Sequence, residues 1–119
     1  MEKDDFSNEF ESDKTNETYI KRLISDIQLD DSAVQIVGYA DSINPSDEFY
    51  LDDKNGRIHV RSIPDEFNNA KEGNLYRVFG ELSIGGDGIQ YISAHIIQNL
   101  EKMNFELFLK SMELLKKIT

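Results

Sequence analysis

Residues 49–61 read FYLDDKNGRIHVR and contain two short β-type runs on either side of an Asn-Gly pair. Because Asn and Gly tolerate the positive φ angles of a type I′ turn, Asn55-Gly56 predicts a tight β-hairpin. In the second run, apolar residues alternate with cationic ones, which is typical of a strand that buries one face.

Three more strands are predicted around the hairpin, one before it and two after it. The GGDG sequence at 85–88 separates the last two strands, and one or two helical turns are expected at 65–71. Five strands with a helical insert after the third are the pattern of an OB-fold barrel. The predicted fold is therefore mainly β, a five-stranded OB-fold barrel within residues 19–100 with strands at Ala33–Ile43, Phe49–Asp53, Arg57–Ile63, Leu75–Leu82 and Ile89–Ile97.

Two strands carry a glycine near their centres, Gly38 and Gly80, and these positions predict the bends or bulges that a small barrel needs. Alternation along the last strand places Ile92, Ala94 and Ile96 on one face. Before the barrel, residues 19–27 have a helical apolar spacing over barely two turns, so they are either a short helix or an irregular lead-in.

Residues 1–18 carry seven acids against two lysines and few apolar side chains. Such a segment buries too little surface to offset its ordering entropy, so it is predicted to be a disordered acidic tail. One interpretation is a solvating tail. The other is an arm that competes with nucleic acid for basic side chains of the barrel, or that is modified at Ser7, Ser12 or Thr15.

A C-terminal helix is predicted at 105–118 with Asn104 as its N-cap, so that residues 104–119 form an oligomerisation helix. Its apolar residues form two stripes, at 105, 108, 109, 112 and 115 and at 107, 114 and 118. Packing on the barrel buries one stripe, and the surplus predicts a partner helix. The alternative is a helix sunk deeper into its own barrel. The predicted subunit interface is Phe105, Phe108, Leu109, Met112, Leu115 and Ile118.

The third strand carries the candidate ligand face. Because Ile58 and Val60 are expected in the core, the cationic residues between them point outwards, about 7 Å apart along the strand. Two arginines beside an aromatic ring combine phosphate neutralisation with base stacking, as single-stranded DNA requires. The alternative is a solvated strand with its arginines paired to Glu48, Asp52 or Asp53. The predicted DNA-binding residues are Arg57, Arg61, His59 and Lys54, with an aromatic from Phe49, Tyr50 or Tyr91.

Composition narrows the classes of function. The chain of 119 residues has no cysteine, so disulfides, zinc ribbons and thiol catalysis are excluded. It contains no phosphate-binding loop, nucleophile elbow or paired metal ligands, so we expect neither an enzyme nor a metal or other cofactor. His95 is interpreted as a strand residue rather than a ligand. The net charge of −10 predicts that the lone chain binds DNA weakly and in a salt-sensitive way.

The chain begins with an acidic segment that lacks the apolar stretch of a signal peptide, and no run approaches the 18 apolar residues of a membrane span. These observations predict an intracellular protein without membrane contact.

Four segments resemble a known family: VQIVGYA at 34–40, FYLDD at 49–53, VFGEL at 78–82 and NLEKMNF at 99–105. They are similar to the small and middle subunits of replication protein A, the heteromeric single-stranded DNA-binding protein of eukaryotes and archaea, and to telomere-capping relatives. The resemblance covers about residues 19–118. It implies assembly with other subunits through a three-helix bundle and roles in DNA replication, repair and recombination.

The same resemblance implies a location, in the nucleus of a eukaryote or the cytoplasm and nucleoid of an archaeon. It leaves a second function open. In that alternative, the chain is an OB-fold assembly subunit that scaffolds its partners without contacting DNA.

Overall fold

The computed structural model describes residues 18–67 and 70–118, with Ile118 described by its backbone alone. The predicted tail at 1–18 therefore lies outside the described residues, apart from Thr18. The elements, in chain order, are β1 (Ile20–Lys21), a 3-10 turn (Ile24–Asp26), β2 (Ala33–Asp41), β3 (Phe49–Asp52), β4 (Arg57–Arg61), β5 (Leu75–Ile84), β6 (Gln90–Asn99) and α1 (Phe105–Ile118).

The sheet closes on itself through β2. This strand pairs antiparallel with β3 along one edge and with β5 along the other. The ring is completed by the antiparallel β3–β4 pair, the parallel β4–β6 pair and the antiparallel β6–β5 pair. Closure with this strand order confirms the predicted five-stranded OB-fold barrel with one C-terminal helix. No helix among the described residues is long and apolar enough to cross a membrane.

Residues 19–27 were predicted to be either a short helix or an irregular lead-in. Neither description fits the whole segment. Residues Ile20 and Lys21 form β1, which pairs parallel with the start of β2, and a single 3-10 turn follows. The helical insert expected at 65–71 falls partly on residues 68 and 69, outside the described part of the chain. Before that gap, the chain turns with the Phe67 N–H donating to the Pro64 carbonyl at 3.0 Å.

Alternating residues of the five barrel strands fill a single apolar interior. As predicted, Ile58 and Val60 of β4 point inwards, and from β5 it is Tyr76 and Val78 that enter the core. Such alternation leaves every second residue on the outer surface of the barrel. The most deeply buried members of this core are Val34, Ile36, Phe49, Leu51, Val60, Val78 and Ile92.

A second apolar cluster lies outside the barrel, under α1. Val37 of β2 and Leu75 of β5 point outwards and pack against Phe105, the first residue of α1. The predicted N-cap is confirmed, since the Leu107 N–H donates to the Asn104 side-chain oxygen at 3.0 Å. This cluster fixes α1 on the β2–β5 side of the barrel.

A β-bulge corrects the predicted alternation of β6. Gly80 has no room for a side chain, since an added Cβ would lie 2.2 Å from the Ser93 carbonyl oxygen, and the β5–β6 register shifts between Phe79 and Gly80. Beyond the shift, Ile97 rather than Ile96 packs on the core, and Ile96 is 41% exposed. The bulge predicted at Gly80 is thus present, whereas the continuous alternation from Ile92 to Ile96 was wrong.

The turn between β3 and β4 is a hairpin but not the predicted type I′ turn. Its residue with positive φ is Lys54, at 74°, and not Asn55 or Gly56. Gly56 instead allows a close approach, since an added Cβ would lie 3.0 Å from the side chain of Ile24. Asp53, which precedes Lys54, is 1% exposed. Its carboxylate is therefore buried, and it does not pair with Arg57 or Arg61 as the alternative interpretation of the third strand allowed.

The Asp53 carboxylate joins this hairpin to the segment that precedes the barrel. It accepts backbone N–H groups from Asn55 at 3.0 Å, from Gly56 at 2.8 Å and from Ile24 at 2.8 Å. An ionised carboxylate with three donors is well satisfied, and its loss would leave those donors without an acceptor.

We expect Asp53→Ala to lower the free energy of unfolding by about 3 kcal/mol, because three backbone donors lose a charged acceptor. The measurement is urea unfolding followed by circular dichroism. The neighbouring Asp52→Ala is the matched control, because Asp52 accepts a single exposed bond from Lys54 N–H. Equal destabilisation by the two substitutions would contradict the role assigned to Asp53.

Candidate functional site

An aromatic row crosses the outer surface of β3, β4 and β6. Tyr50 pairs in register with His59, and His59 pairs with Tyr91. The Tyr50 and His59 rings stack with their centroids 4.6 Å apart and an interplanar angle of 18°. Neighbouring strands lie about 4.8 Å apart, so the two tyrosines are about 10 Å from each other across the sheet.

Two arginines extend over this row. The Arg57 guanidinium carbon lies 4.0 Å from the centre of the Tyr50 ring, and that of Arg61 lies 4.5 Å from the centre of the Tyr91 ring. These are cation–π contacts, which hold each guanidinium against a ring. We call Tyr50, Arg57, His59, Arg61 and Tyr91 the cationic–aromatic face.

The charge of Arg57 is compensated by Asp41 at the end of β2. Its Nη2 donates to Asp41 Oδ2 and to Ser42 Oγ, both at 3.0 Å. The Arg57 guanidinium, followed by the Ser42 hydroxyl, holds the pKa of Asp41 below its ordinary value. Ser42 has a φ of 54°, and this left-handed backbone accompanies the side-chain contact with Arg57.

The other two cationic groups share Glu48, which precedes β3. A Glu48 carboxylate oxygen lies 3.6 Å from His59 Nε2 and the other lies 3.8 Å from Arg61 Nε. The arginine side chains of the face are more than 40% exposed, so water and salt screen these ion pairs. The two arginine charges are thus balanced by Asp41 and Glu48, and the face as a whole is close to neutral.

The structure places the predicted DNA-binding residues in three positions: five lie together on the face, Lys54 lies at one end of it, and Phe49 lies inside the barrel. Arg57, His59, Arg61, Tyr50 and Tyr91 lie together on the cationic–aromatic face. Lys54 lies at the Arg57 end of that face, with its Nζ 5.7 Å from the centre of the Tyr39 ring.

Phe49 does not lie on the face. Its ring is fully buried and packs against Tyr76, 6.0 Å between centroids, so its prediction as a stacking residue was wrong. The physical reason is the strand period: Tyr50 points outwards, so Phe49 points into the barrel.

Two loops border the face, the β2–β3 loop at 42–48 and the β5–β6 loop at 85–89. In OB-folds, the corresponding loops flank the ligand groove. Arg61 extends towards the second loop, and its Nη1 lies 3.9 Å from where a Cβ on Gly85 would be. Sequence reasoning named Glu48 as an arginine partner but missed Asp41, Ser42 and Tyr39, because their proximity depends on the register between β2 and β3.

The predicted subunit interface on α1 requires a correction. Phe105, Phe108 and Leu109 pack on the barrel of their own chain, and Met112 is buried. Leu115 is 50% exposed at the edge of that stripe, and the side chain of Ile118 lies outside the described residues. The second stripe is the outward one: Leu107 and Leu114 are 60% and 59% exposed. We call Leu107 and Leu114 the outer leucine stripe.

His95 is not near any cluster suited to a metal. Its Nδ1 lies 2.7 Å from the Tyr19 hydroxyl, and its Nε2 lies 3.7 Å from Glu81. In the part of the chain that the structure describes, no group of three or more His, Cys, Asp or Glu side chains is placed to hold a metal ion.

No protein-family model and no curated protein matches the chain. Among solved structures, the chain is similar to a chain of a replication protein A heterotrimer bound to ssDNA, at 19% identity and a TM-score of 0.56 over 69% of this chain and 67% of that chain. The two chains therefore share the OB-fold.

Two further structures share this fold. A chain of the S. pombe Stn1–Ten1 complex matches at 24% identity and a TM-score of 0.55, over 75% of this chain and 74% of that one. The second OB-fold domain of replication protein A from Methanococcus maripaludis matches at 20% identity and a TM-score of 0.53, over 71% of this chain and 99% of that one. At these identities the likeness establishes the fold, and the sequence-based resemblance is confirmed at that level.

The ion pair between Arg57 and Asp41 has a consequence for pH dependence. Because the pKa of Asp41 is lower in the folded chain than in the unfolded chain, the pair stabilises the fold above the ordinary aspartate pKa. This contribution is lost as the pH falls through the lowered value.

We expect Arg57→Gln to raise the pKa of Asp41 towards its ordinary value, about 3.9. The measurement is an NMR titration of the side-chain carboxyl carbons. Asp31 is the internal control, because its pKa is lowered by Arg22 and not by Arg57. An Asp41 midpoint that is unchanged in the variant would show that Arg57 does not hold this carboxylate.

Proposed function

We propose that this chain is a subunit of a replication protein A-like complex that binds single-stranded DNA, and that its role is binding rather than catalysis. The observation that carries the proposal is the cationic–aromatic face. Tyr50, Arg57 and Arg61 lie on the second and third barrel strands, which bind oligonucleotides in OB-folds, and Tyr91 lies beside them on β6. The similar heterotrimer is itself bound to ssDNA, which supports the same ligand here.

The charge pattern of the face agrees with modest affinity. Asp41 and Glu48 occupy the arginines in the free chain, and phosphates must displace them. Because the pairs are exposed, this displacement costs little. Stacking of bases on Tyr50 and Tyr91 then supplies affinity that does not depend on net charge. A chain with a net charge of −10 is therefore suited to adding a share of affinity within a larger assembly.

The wider role proposed for the assembly is in DNA replication, repair and recombination, inside the cell. A telomere-capping role is the related alternative, because the sequence also resembles telomere-capping relatives of replication protein A. Within either assembly, we propose that α1 joins helices of partner subunits in a three-helix bundle.

A second function is favoured by the outer leucine stripe. Two leucines about 60% exposed on a helix that is already packed on its barrel provide an apolar surface for another helix. If the cationic–aromatic face is not used, the chain is an assembly subunit whose contact surface is this stripe. Both functions share α1 as the partner contact, and only the first requires the arginines.

For the first function, we expect Arg57→Ala with Arg61→Ala to weaken binding to oligo-dT by at least about tenfold at low salt. The slope of the logarithm of affinity against the logarithm of salt should become shallower by about 1.4, because two phosphates lose their cations. Fluorescence anisotropy over a salt series measures both quantities, in the lone chain and in its assembled complex.

The matched control is Lys71→Ala with Lys102→Ala, which removes two charges from exposed positions away from the face. If the control pair weakens binding as much as the arginine pair, the effect comes from net charge alone. If the arginine pair changes nothing in the assembled complex, the scaffolding function remains and DNA contact by this face is refuted.

For the helix contact, we expect Leu114→Glu to release partner subunits while the melting temperature of the barrel stays unchanged, because Leu114 does not pack on the core. Size-exclusion chromatography with light scattering, applied to the complex purified from source cells, should show a 13.7 kDa monomer for this variant. Mass spectrometry of the wild-type complex should identify the partners as OB-fold proteins.

Leu29→Glu is the matched control, since Leu29 is 90% exposed on a loop before β2 and undergoes the same substitution. Glutamate at Phe108 or Met112 would not test this contact, because Phe108 packs against the barrel and Met112 is buried. A Leu114→Glu chain that remains assembled would rule out the outer leucine stripe as the partner contact.

A further inference from the structure

A groove lies between α1 and the barrel, on the side away from the turn that joins β3 and β4. Its floor is mostly apolar: Val37 of β2 and Phe108, Met112 and Leu115 of α1 form it, beside the buried amide of Gln35. The volume of the groove is about 140 Å³. An apolar cavity of roughly 150 Å³ accommodates a benzene-sized group, so this groove has room for one large apolar side chain.

The rim of the groove is cationic. It is formed by Lys21 of β1, by the neighbouring Arg22 and by Arg77 of β5. Arg22 is compensated, because its Nε and Nη2 each lie 2.9 Å from a carboxylate oxygen of Asp31. Among residues 18–67 and 70–118, no carboxylate lies within ion-pair distance of Lys21 or Arg77.

Arg77 is the unusual member of this rim. It is half-buried, and its side chain contacts an amide oxygen of Gln98 at a long 3.4 Å. Desolvation lowers the pKa of Arg77 below its ordinary value, although a guanidinium stays charged at neutral pH. In a chain with 23 acids and 13 lysines and arginines, a half-buried arginine that has no carboxylate partner in the described part of the chain is a conspicuous positive site.

We propose that this groove binds an acidic segment of a partner protein, which inserts one large apolar side chain over Met112 and pairs its carboxylates with Arg77 and Lys21. The charge complementarity comes from Arg77 and Lys21, which have no carboxylate partner among the described residues, and the apolar part of the floor specifies the inserted side chain. The proposal does not depend on the proposed function, because neither the cationic–aromatic face nor the outer leucine stripe forms the groove.

A peptide fits these features better than nucleic acid does. Phosphate backbones bind to exposed, extended rows of lysine and arginine, and they gain little from a small apolar floor. A peptide carries carboxylates and a large apolar side chain within a few residues of each other. The planar fork of an arginine guanidinium binds carboxylates and phosphates alike in bidentate pairs, so the apolar part of the floor is what favours a peptide.

The test uses the full isotope-labelled chain and a capped synthetic peptide, Asp-Glu-Phe-Glu-Asp. We expect the peptide to shift the amide NMR signals of Val37, Phe108 and Ser111, and Arg77→Gln to weaken its binding about tenfold. Lys110→Gln, which removes one charge on the opposite flank of α1, should leave binding unchanged. If Arg77→Gln does not fold, two peptide variants replace it, one with Ala for Phe and one with amides for the acids, and each should bind at least about tenfold more weakly.

Three results would overturn the proposal. The first is a peptide that does not shift the NMR signals of the groove, or whose affinity for the Lys110→Gln chain is as low as its affinity for the Arg77→Gln chain. The second is an oligo-dT probe that shifts the groove signals when the peptide does not. The third is peptide binding that occurs only after the acids of residues 1–17 are replaced by amides, because the chain's own acidic segment would then be the occupant.

Discussion

Hydrogen bonding of β2 to β3 along one edge and to β5 along the other is the interaction on which the structure depends. It closes the sheet, so that each strand has one face in an apolar interior and one face outside. The outward residues must then be covered or solvated. Val37 and Leu75 are covered by α1, and Phe79 is covered by Tyr19, whose ring lies 5.4 Å away. On β3, β4 and β6 the outward residues are instead the cations and tyrosines of the cationic–aromatic face.

The helix α1 covers one side of the barrel, and the cationic–aromatic face lies on another side that is open. The helix lies against β2 and β5, whereas the cationic–aromatic face lies on β3, β4 and β6. The strands that carry α1 are therefore different from the strands that carry the face. Carboxylates within the face keep the guanidinium groups in place at little energetic cost, and this arrangement preserves their geometry in a chain that is acidic overall.

Much of the fold was predictable because the governing signals are local. Alternation in β4 correctly placed Ile58 and Val60 inside, and with them Arg57, His59 and Arg61 outside. The N-cap at Asn104 gave the start of α1. The failures have non-local causes. Ile96 points outwards because a bulge forms where Gly80 meets Ser93, and the carboxylate of Asp53, which accepts the N–H groups of the turn after β3, also accepts the N–H of the distant Ile24.

Side-chain periodicity and turn chemistry within short windows were enough to predict the number of barrel strands, the helix and the residue types available for binding. Contacts in the folded barrel set which of two adjacent aromatic rings lies on the outer surface: Tyr50 is outside and Phe49 is inside. They also decided that the outer stripe of α1 is Leu107 and Leu114, and that Arg57 is paired with Asp41. Each of these outcomes depends on strand register and on the side from which the helix packs. Both are set by contacts between residues far apart in the chain, which no short stretch of sequence encodes.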